Sequence, residues 1–246
     1  MSLDFFSLPG FLGKASDWAS FEWPQGSRLH PLELFSPHRS STGFRALRPR
    51  SYSLPHWGQW VNECAAATPS RSRVLMGYSL GGRIALHALL QSPDLWRGAV
   101  IVSAHPGLQT LKEKELRLKS DRAWALRFEA EEWNAVLADW NAQSVFEGSQ
   151  DLPQRLEADF DRRRLSAALV ESSLGAQEDL RRPLSQLALP VLWVAGERDS
   201  KFRALSEEMG SLNSHFETRI LPGVGHRSLW DRPDCFESIK RWISKV

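Results

Sequence analysis

The amino-acid sequence predicts an α/β protein whose mostly parallel sheet has helices on both faces. Short apolar runs, rich in branched and aromatic residues, alternate with segments whose apolar residues recur at helical spacing. The runs are almost continuously apolar, which is typical of strands in a parallel sheet that is covered on both sides. One long segment lacks any strand pattern and predicts a helical insertion.

Six runs have the pattern of strands, because each is short and bounded by Gly, Pro or Ser. In chain order they are "LDFFSL" (3–8), "RLHPLEL" (28–34), "RVLMGY" (73–78), "GAVIVSA" (98–104), "PVLWVAG" (190–196) and "ETRILPG" (217–223). Apolar residues at helical spacing mark four further segments, 55–67, 81–91, 202–212 and 233–245. We expect these elements to build one domain that extends from residue 1 to residue 246.

Residues 105–180 are expected to form a helical lid within this domain. From about residue 108 the segment has only charge-rich helical patterns, such as "LKEKELRLKSDRAWALRF". Because it lies between two strands of the sheet, it should project over one edge, where lids control access to active sites. Its acidic residues are at least as numerous as its basic ones, so it is not a basic arm.

Composition argues against several classes of function. No Lys/Arg-rich run is interleaved with aromatic residues, so no nucleic-acid partner is expected. The sequence has neither a long apolar run for a membrane span nor the basic region of a signal peptide. Two cysteines, Cys64 and Cys235, indicate a reducing compartment, so the cytoplasm is the expected location. Scattered histidines and the lack of a dinucleotide fingerprint predict neither a metal nor a cofactor, and the oligomeric state is not predicted.

Ser79 is the predicted catalytic centre. It lies in a Gly-x-Ser-x-Gly pattern, from Gly77 to Gly81, directly after a predicted strand and before a predicted helix. That setting is typical of a nucleophile elbow, a strained turn that lifts the serine above the carboxyl end of the sheet. A plain tight turn is the alternative, but the strand–turn–helix context favours catalysis.

A serine hydroxyl needs a base to take its proton and an acid to orient that base. In proteins with this elbow the three residues follow in the order serine, acid, histidine, with the acid and the histidine each just past a strand. Asp199 comes after the predicted strand 190–196, and His226 comes after the strand 217–223. Glu197 is an alternative acid, but the placement of Asp199 is more suitable.

Two backbone N–H groups are expected to form an oxyanion hole beside this serine. One belongs to Leu80, the residue that follows Ser79. The other is predicted to come from Phe11 in the loop after the first strand, where Gly10 permits a tight turn. Together they would bind negative charge that develops on a substrate oxygen.

Arg83 is unusual, because a cation in the first turn of a helix opposes the helix dipole at a cost of about 0.3–1 kcal/mol. It lies one turn after Ser79. Its guanidinium could therefore reach the same pocket and bind a carboxylate through two hydrogen bonds. A structural salt bridge to the insertion is the alternative interpretation. The first interpretation predicts a carboxylated small-molecule substrate.

Five blocks of sequence resemble one family of enzymes. They are "GYSLGGR" (77–83), "HPGLQ" (105–109), "SDRAWALRF" (120–128), "LADW" (137–140) and "GERDSKFRAL" (196–205). The blocks and their spacing are similar to those of the menaquinone-pathway lyases of the α/β-hydrolase fold, the 2-succinyl-6-hydroxy-2,4-cyclohexadiene-1-carboxylate synthases. "GERDSKF" and "HPGLQ" are far more specific than the elbow, which the whole superfamily shares. The resemblance implies an α/β-hydrolase fold and the elimination of pyruvate instead of hydrolysis.

The resemblance also implies roles for individual residues. Ser79, backed by His226 and Asp199, would remove a proton from the ring of a polycarboxylate substrate as a general base, without a covalent intermediate. The positions that match the family's substrate-binding residues are Tyr78, Arg83, Arg117 and Trp140. The two arginines correspond to carboxylate-binding groups, and the tryptophan to an aromatic wall supplied by the lid.

The N-terminal region departs from the family. Family members begin with an extra strand or hairpin and have His-Gly before the oxyanion residue, whereas this sequence starts almost at that strand and has Pro9-Gly10. "ELFSPHRS" (33–40) stands where the family has "DLPGHG". The N-terminal strands are therefore expected to be shortened, and the fit to substrate on that side to differ.

Two further functions remain open from the residues alone. A carboxylesterase or a carbon–carbon bond hydrolase would use Ser79 as a nucleophile with the same triad. Arg83 and Arg117 discriminate between these and the lyase, because an enzyme for neutral esters has no use for both in its pocket. A non-enzymatic binding protein is the third interpretation, and the three filled triad positions argue against it.

Overall fold

Six parallel strands form a sheet in the computed structural model, which describes residues 3–37, 49–70, 72–149 and 153–246. The strands are β1 (Asp4–Leu8), β2 (Arg28–Pro31), β3 (Arg73–Tyr78), β4 (Gly98–Val102), β5 (Val191–Gly196) and β6 (Phe216–Leu221). Their order across the sheet is β2-β1-β3-β4-β5-β6, and every neighbouring pair is parallel. The predicted α/β class is confirmed, and each predicted strand is present.

Three strands end earlier than the sequence pattern suggests, and one of them is β6, which ends at Leu221 instead of residue 223. β2 ends at Pro31 and lies at an edge of the sheet as far as the chain is described, which is where proline is tolerated in a strand. β4 ends at Val102 because the next residue, Ser103, has a φ of 47° and turns the chain. Residues 38–40 of the divergent segment "ELFSPHRS" lie outside the described residues.

Helices connect the strands and cover the sheet. They are α1 (Leu54–Ala66), α2 (Leu80–Gln91), α3 (Leu111–Ala130), α4 (Trp133–Asn141), α5 (Arg162–Glu171), α6 (Arg181–Leu184), α7 (Ser200–Leu212), α8 (Ser228–Asp231) and α9 (Phe236–Ile243). The four predicted helices correspond to α1, α2, α7 and α9, and α9 follows a 3₁₀ turn at Pro233–Cys235. Within the described ranges, no helix combines the length and the apolar content needed to cross a bilayer.

Side chains alternate between the two faces of the sheet and build two apolar cores. On one face, Leu75 of β3 and Trp193 of β5 pack with residues of α1 and α2. On the other face, Val74 and Met76 of β3 pack with residues of α9, such as Trp242. Because both faces are covered, the central strands β1, β3, β4 and β5 are buried along nearly their whole length. The outer strands β2 and β6 also contain exposed or half-buried polar residues.

The segment between β4 and β5 contains helices and turns but no strand in its described part. Thr110 caps the start of α3: its hydroxyl accepts a hydrogen bond from the Glu113 N–H, while the Glu113 carboxylate accepts one from the Thr110 N–H. A buried ion pair joins the segment to the chain after β1, because Arg155 donates to both oxygens of Asp17 at 3.0 and 2.7 Å. This pair connects the predicted helical insertion, at Arg155, to the loop that follows β1.

Asp4 lies at the buried start of β1 and binds two side chains of the neighbouring strand. Its carboxylate accepts a hydrogen bond from Arg28 Nη2 at 2.9 Å and pairs with His30 Nε2 at 2.6 Å. Burial raises the pKa of Asp4, but hydrogen bonds from Arg28, Ser70 and His30 outweigh burial and hold the pKa at about 2, below the ordinary value of 3.8.

We expect Asp4→Asn to reduce the acid sensitivity of the fold. Because the folded-state pKa of Asp4 lies below its unfolded value, the carboxylate stabilises the fold above about pH 4, and this contribution is lost as the pH falls toward 2. With allowance for solvent screening at Arg28, the free energy of unfolding of the variant should be lower than that of the wild type by on the order of 1 kcal/mol at neutral pH. Urea denaturation should show that the difference in free energy of unfolding between wild type and variant becomes smaller in acid. If this difference did not depend on pH, the lowered pKa of Asp4 in the folded state would be contradicted.

Candidate active site

Ser79 occupies a strained turn between β3 and α2. Its backbone has φ 52° and ψ −111°, and its N–H donates to the carbonyl of Val102 at 2.9 Å. A Cβ on Gly77 would lie 2.4 Å from the Gly81 carbonyl oxygen, and a Cβ on Gly81 would lie 2.3 Å from the Leu8 carbonyl oxygen. Neither position has room for a side chain, so the Gly-x-Ser-x-Gly pattern is a steric requirement of this turn.

Three side chains from three strand ends meet at this turn. His226 Nδ1 is 2.6 Å from Asp199 Oδ2, and His226 Nε2 is 3.3 Å from Ser79 Oγ. Asp199 follows β5 and His226 follows β6, as the order of the motif predicted. A carboxylate at Nδ1 keeps the proton on that nitrogen and leaves Nε2 to accept the serine proton. The geometry is therefore that of a serine–histidine–aspartate relay.

Neighbouring groups fix the members of this candidate triad. Asp199 also caps α7, because its Oδ1 accepts a hydrogen bond from the Phe202 N–H at 3.4 Å. The carbonyl of His226 accepts a hydrogen bond from the Ser103 hydroxyl at 3.1 Å. Glu197, the alternative acid, is exposed and accepts a hydrogen bond from the Gly223 N–H at 2.8 Å. The structure therefore brings Asp199, and not Glu197, to the histidine.

The loop after β1 lies directly against the serine. A Cβ on Gly10 would be 2.9 Å from the Tyr78 ring and 3.5 Å from Ser79 Cβ, so this loop approaches the elbow at van der Waals distance. Phe11 and Leu80 both line the same cavity as Ser79. The two residues that are predicted to supply oxyanion N–H groups therefore both lie at the cavity that contains the serine.

A cavity of about 830 Å³ opens above the candidate triad. The helical insertion covers it with aromatic side chains, among them Trp124, Trp140 and Phe146. Its lining includes four cationic side chains, Arg83, Arg117, Arg198 and Lys201. A cavity of this size accommodates a small molecule, and its cations favour an anionic one.

Arg83 extends from the first turn of α2 into this cavity. Its Nη1 donates to the Ser172 carbonyl at 2.6 Å and to Gln177 Oε1 at 3.3 Å, so it contacts the insertion through hydrogen bonds. No carboxylate pairs with it in the described part of the chain, and the predicted alternative of a salt bridge is not found there. Burial, and then the charge of Arg117, lower the pKa of Arg83 to about 9, so the side chain remains charged at neutral pH.

Arg117 lies on α3 and is already partly neutralised. Its Nε donates to both carboxylate oxygens of Asp121, at 2.9 and 2.8 Å. Asp121 also accepts a hydrogen bond from the Ser173 hydroxyl at 2.7 Å, which holds the carboxylate in place. Because Arg117 uses only Nε in this pair, its terminal nitrogens face no acceptor among the described residues. A guanidinium in this state can still bind a second carboxylate.

The two aromatic residues that were expected to bind substrate lie in different places. Trp140 lines the cavity and packs against Phe11 and Trp124, with ring centroids 4.8 and 5.0 Å apart. Tyr78 is not among the residues that line the cavity. Its ring lies behind the candidate triad, 5.5 Å from the ring of His226 and 4.8 Å from that of Trp230. Tyr78 therefore supports the histidine from behind.

Sequence reasoning missed several residues that line the cavity. Arg198 and Lys201 flank Asp199 in "GERDSKF", and His105 opens "HPGLQ" after β4. The placement rule that identified Asp199 could have found them, because the carboxyl ends of parallel strands carry their loops to the same face. Burial, and then the charge of Arg117, lower the pKa of Lys201. Lys201 therefore lies close enough to Arg117 for the two charges to repel each other.

Arg227, the residue after His226, was also missed. Its guanidinium lies 4.3 Å above the Phe146 ring and donates to Asn141 Oδ1 at 2.5 Å, and both partners belong to the insertion. Its backbone N–H donates to the Ser149 hydroxyl at 3.2 Å. The position of the insertion is therefore connected directly to the loop that carries the histidine.

Comparison with known proteins gives the chain its family. Residues 56–233 match the family model described as serine aminopeptidase, S33 (Hydrolase_4). Curated relatives include the 2-succinyl-6-hydroxy-2,4-cyclohexadiene-1-carboxylate synthases of Escherichia coli O1:K1 / APEC, which is 40% identical over 163 residues, and of Shigella sonnei (strain Ss046), 39% identical over 163 residues. In both cases the match covers 65% of this chain and 63% of the relative. The resemblance found in the sequence blocks is therefore confirmed.

Solved structures agree on the fold. MenH from S. aureus has a TM-score of 0.87 at 19% identity and covers 99% of this chain and 93% of its own. A thermophilic esterase from Thermogutta terrifontis has a TM-score of 0.79 at 19% identity, with 100% and 90% covered. Identities this low show the fold alone. With the family model spanning most of its length, the chain belongs to the serine aminopeptidase S33 family and has the α/β-hydrolase fold.

Proposed function

We propose that this protein is a lyase that eliminates pyruvate from 2-succinyl-5-enolpyruvyl-6-hydroxy-3-cyclohexene-1-carboxylate. The product is 2-succinyl-6-hydroxy-2,4-cyclohexadiene-1-carboxylate, an intermediate of menaquinone biosynthesis. The observation that carries the proposal is the presence of Arg83 and Arg117 in the cavity above Ser79. The names of the curated relatives support it, although the match covers only 63% of the length of those relatives.

The electron flow follows from the structures of substrate and product. Removal of the proton at C2, next to the succinyl carbonyl, forms the C2–C3 double bond. The C3–C4 double bond moves to C4–C5, and the C5–O bond breaks to release the enolate of pyruvate. The enolate takes up one proton, so the reaction consumes no water and needs no oxidant or reductant.

The candidate triad supplies the proton transfers in this scheme. His226 takes the Ser79 proton, Asp199 stabilises the imidazolium, and the serine oxygen removes the C2 proton. The proton on His226 then passes to the leaving enolate. Charge that develops on the succinyl carbonyl oxygen is stabilised by the N–H groups of Phe11 and Leu80.

The charges of the cavity fit a polycarboxylate substrate. Arg83 keeps its charge and has no carboxylate partner in the described residues, and Arg117 is only partly neutralised by Asp121. A carboxylate is the ligand that a guanidinium binds best, through two parallel hydrogen bonds. In this proposal residues 105–180 act as a lid, whose aromatic residues exclude water from the reacting ring.

A carboxylesterase or carbon–carbon bond hydrolase is the second candidate. The triad geometry favours it equally, because Ser79 at 3.3 Å from His226 Nε2 could attack a carbonyl and form an acyl-enzyme. The two arginines favour the lyase, since a neutral ester has no carboxylate that either of them could bind.

Pyruvate release distinguishes the two functions. The protein is mixed with the enolpyruvyl substrate, and pyruvate is followed through lactate dehydrogenase by the loss of NADH absorbance. We expect release far above the uncatalysed rate, with little cleavage of p-nitrophenyl acetate, because a neutral ester engages neither arginine. Pyruvate formation at the uncatalysed rate, together with brisk ester cleavage, would end the lyase proposal.

A further inference from the structure

His105 is a histidine in the cavity that the candidate triad does not use. It follows the carboxyl end of β4, is 6% exposed and lines the cavity with Arg83 and Arg117. The ring of Phe202 lies near both histidines, since its centroid is 6.4 Å from that of His105 and 4.6 Å from that of His226. His105 therefore lies at the same cavity as Ser79 without belonging to the candidate triad.

A backbone hydrogen bond fixes the tautomer of His105. The Gly107 N–H donates to its Nδ1 at 3.0 Å, which requires that Nδ1 carry no proton. Gly107 holds this turn with a φ of 131°, and a Cβ there would lie 2.3 Å from the Glu178 carbonyl oxygen. Since the turn cannot shift, the neutral ring must carry its proton on Nε2.

The surroundings keep the ring neutral. Burial lowers the pKa of His105 to about 3, and the charges of Lys201, Arg181, Arg83 and Arg117 act in the same direction. At neutral pH, His105 is therefore an uncharged hydrogen-bond donor among cations. Its Nε2–H has no acceptor among the described residues, although Nδ1 is satisfied.

The backbone of His105 is tied to the principal cation of the cavity. Gln177 Nε2 donates to the His105 carbonyl at 3.2 Å, and Gln177 Oε1 accepts a hydrogen bond from Arg83 Nη1 at 3.3 Å. Gln177 is itself buried. His105 and Arg83 are thus held at a fixed separation, as two groups that bind one ligand must be.

We propose that His105 is a substrate-binding residue whose Nε2–H donates to a carboxylate oxygen that is held beside Arg83. The proposal rests on the anionic substrate of the proposed function and adds a specificity-determining residue to it. A neutral donor suits this position, because a further cation would be repelled by the arginines that surround it. The bond would also orient the carboxylate, which charge alone does not.

Two matched variants distinguish the loss of the Nε2–H donor from a change in the fold. His105→Asn retains a group at the Nδ1 position that can accept the Gly107 hydrogen bond but loses the donor at Nε2. His105→Gln places an N–H near the Nε2 position. We expect KM for pyruvate release to rise roughly 10- to 100-fold in His105→Asn, the range for a lost hydrogen bond to a charged group, with kcat less affected. In His105→Gln, KM should return most of the way to the wild-type value.

The binding of succinate, measured by calorimetry, is the second readout. The dissociation constant of succinate should rise in His105→Asn by a factor similar to the rise in KM. If the wild type releases no pyruvate, the proposed function fails, and succinate binding alone decides on His105. The inference is overturned if His105→Asn matches the wild type, if both variants lose activity together with thermal stability, or if the wild type neither releases pyruvate nor binds succinate.

Discussion

Ser79→Ala should lower kcat for pyruvate release by roughly 10²- to 10⁴-fold, the range that a positioned general base contributes. The substitution removes the oxygen that takes the C2 proton and leaves the cavity, the arginines and the oxyanion loop unchanged. Among the described residues, the hydroxyl of Ser79 forms one hydrogen bond, the 3.3 Å contact with His226, so thermal stability should change little. Steady-state kinetics with the coupled pyruvate assay and a thermal melt measure both quantities.

The size of this loss also distinguishes a base from a nucleophile. Removal of a serine nucleophile costs a hydrolase on the order of 10⁶-fold in kcat, and a covalent acyl-enzyme accumulates when deacylation is slow. His226→Ala should cost about as much as Ser79→Ala, and the double variant little more, because the two residues act as a unit. A trapped adduct on Ser79, seen by mass spectrometry during turnover, would contradict the role of general base.

The candidate triad was predictable because each member obeys a local rule. Ser79 is marked by two glycines that have no room for a Cβ, and Asp199 and His226 lie in the segments that follow β5 and β6. The strands themselves were evident from their apolar runs, since burial on both faces demands apolar residues at consecutive positions. The sequence therefore indicated the sheet, the elbow and the order of the triad.

Contacts between distant segments could not be predicted in this way. The buried pair of Asp17 and Arg155 joins residues 138 positions apart, and neither belongs to a motif. Tyr78 precedes Ser79 in the sequence, yet it lies behind the triad, because it is the last residue of β3 and packs on the same face of the sheet as Val74 and Met76. Asp121 lies one helical turn from Arg117, and this spacing could have revealed the pair that partly neutralises the arginine.

Arg83→Met should lower kcat/KM for pyruvate release by roughly 30- to 5,000-fold. This corresponds to a loss of about 2–5 kcal/mol of transition-state binding. Methionine keeps most of the apolar stem but removes the charge and the donors. The Ser172 carbonyl then loses the hydrogen bond that Arg83 donates at 2.6 Å, so the variant should also be less stable by about 1–3 kcal/mol. Kinetics and urea denaturation separate the two effects.

A second substitution and a control show whether the kinetic loss comes from the lost carboxylate contact. Arg83→Lys keeps a charge and a donor for Ser172, so it should restore stability, but a lysine cannot bind a carboxylate through two parallel hydrogen bonds and most of the kinetic loss should remain. Arg203→Met removes an arginine of α7 that is exposed and paired with Glu207, and it should match the wild type. If Arg83→Lys restored kcat/KM as fully as stability, Arg83 would be a structural residue that holds the insertion, and the case for a polycarboxylate substrate would lose its main support.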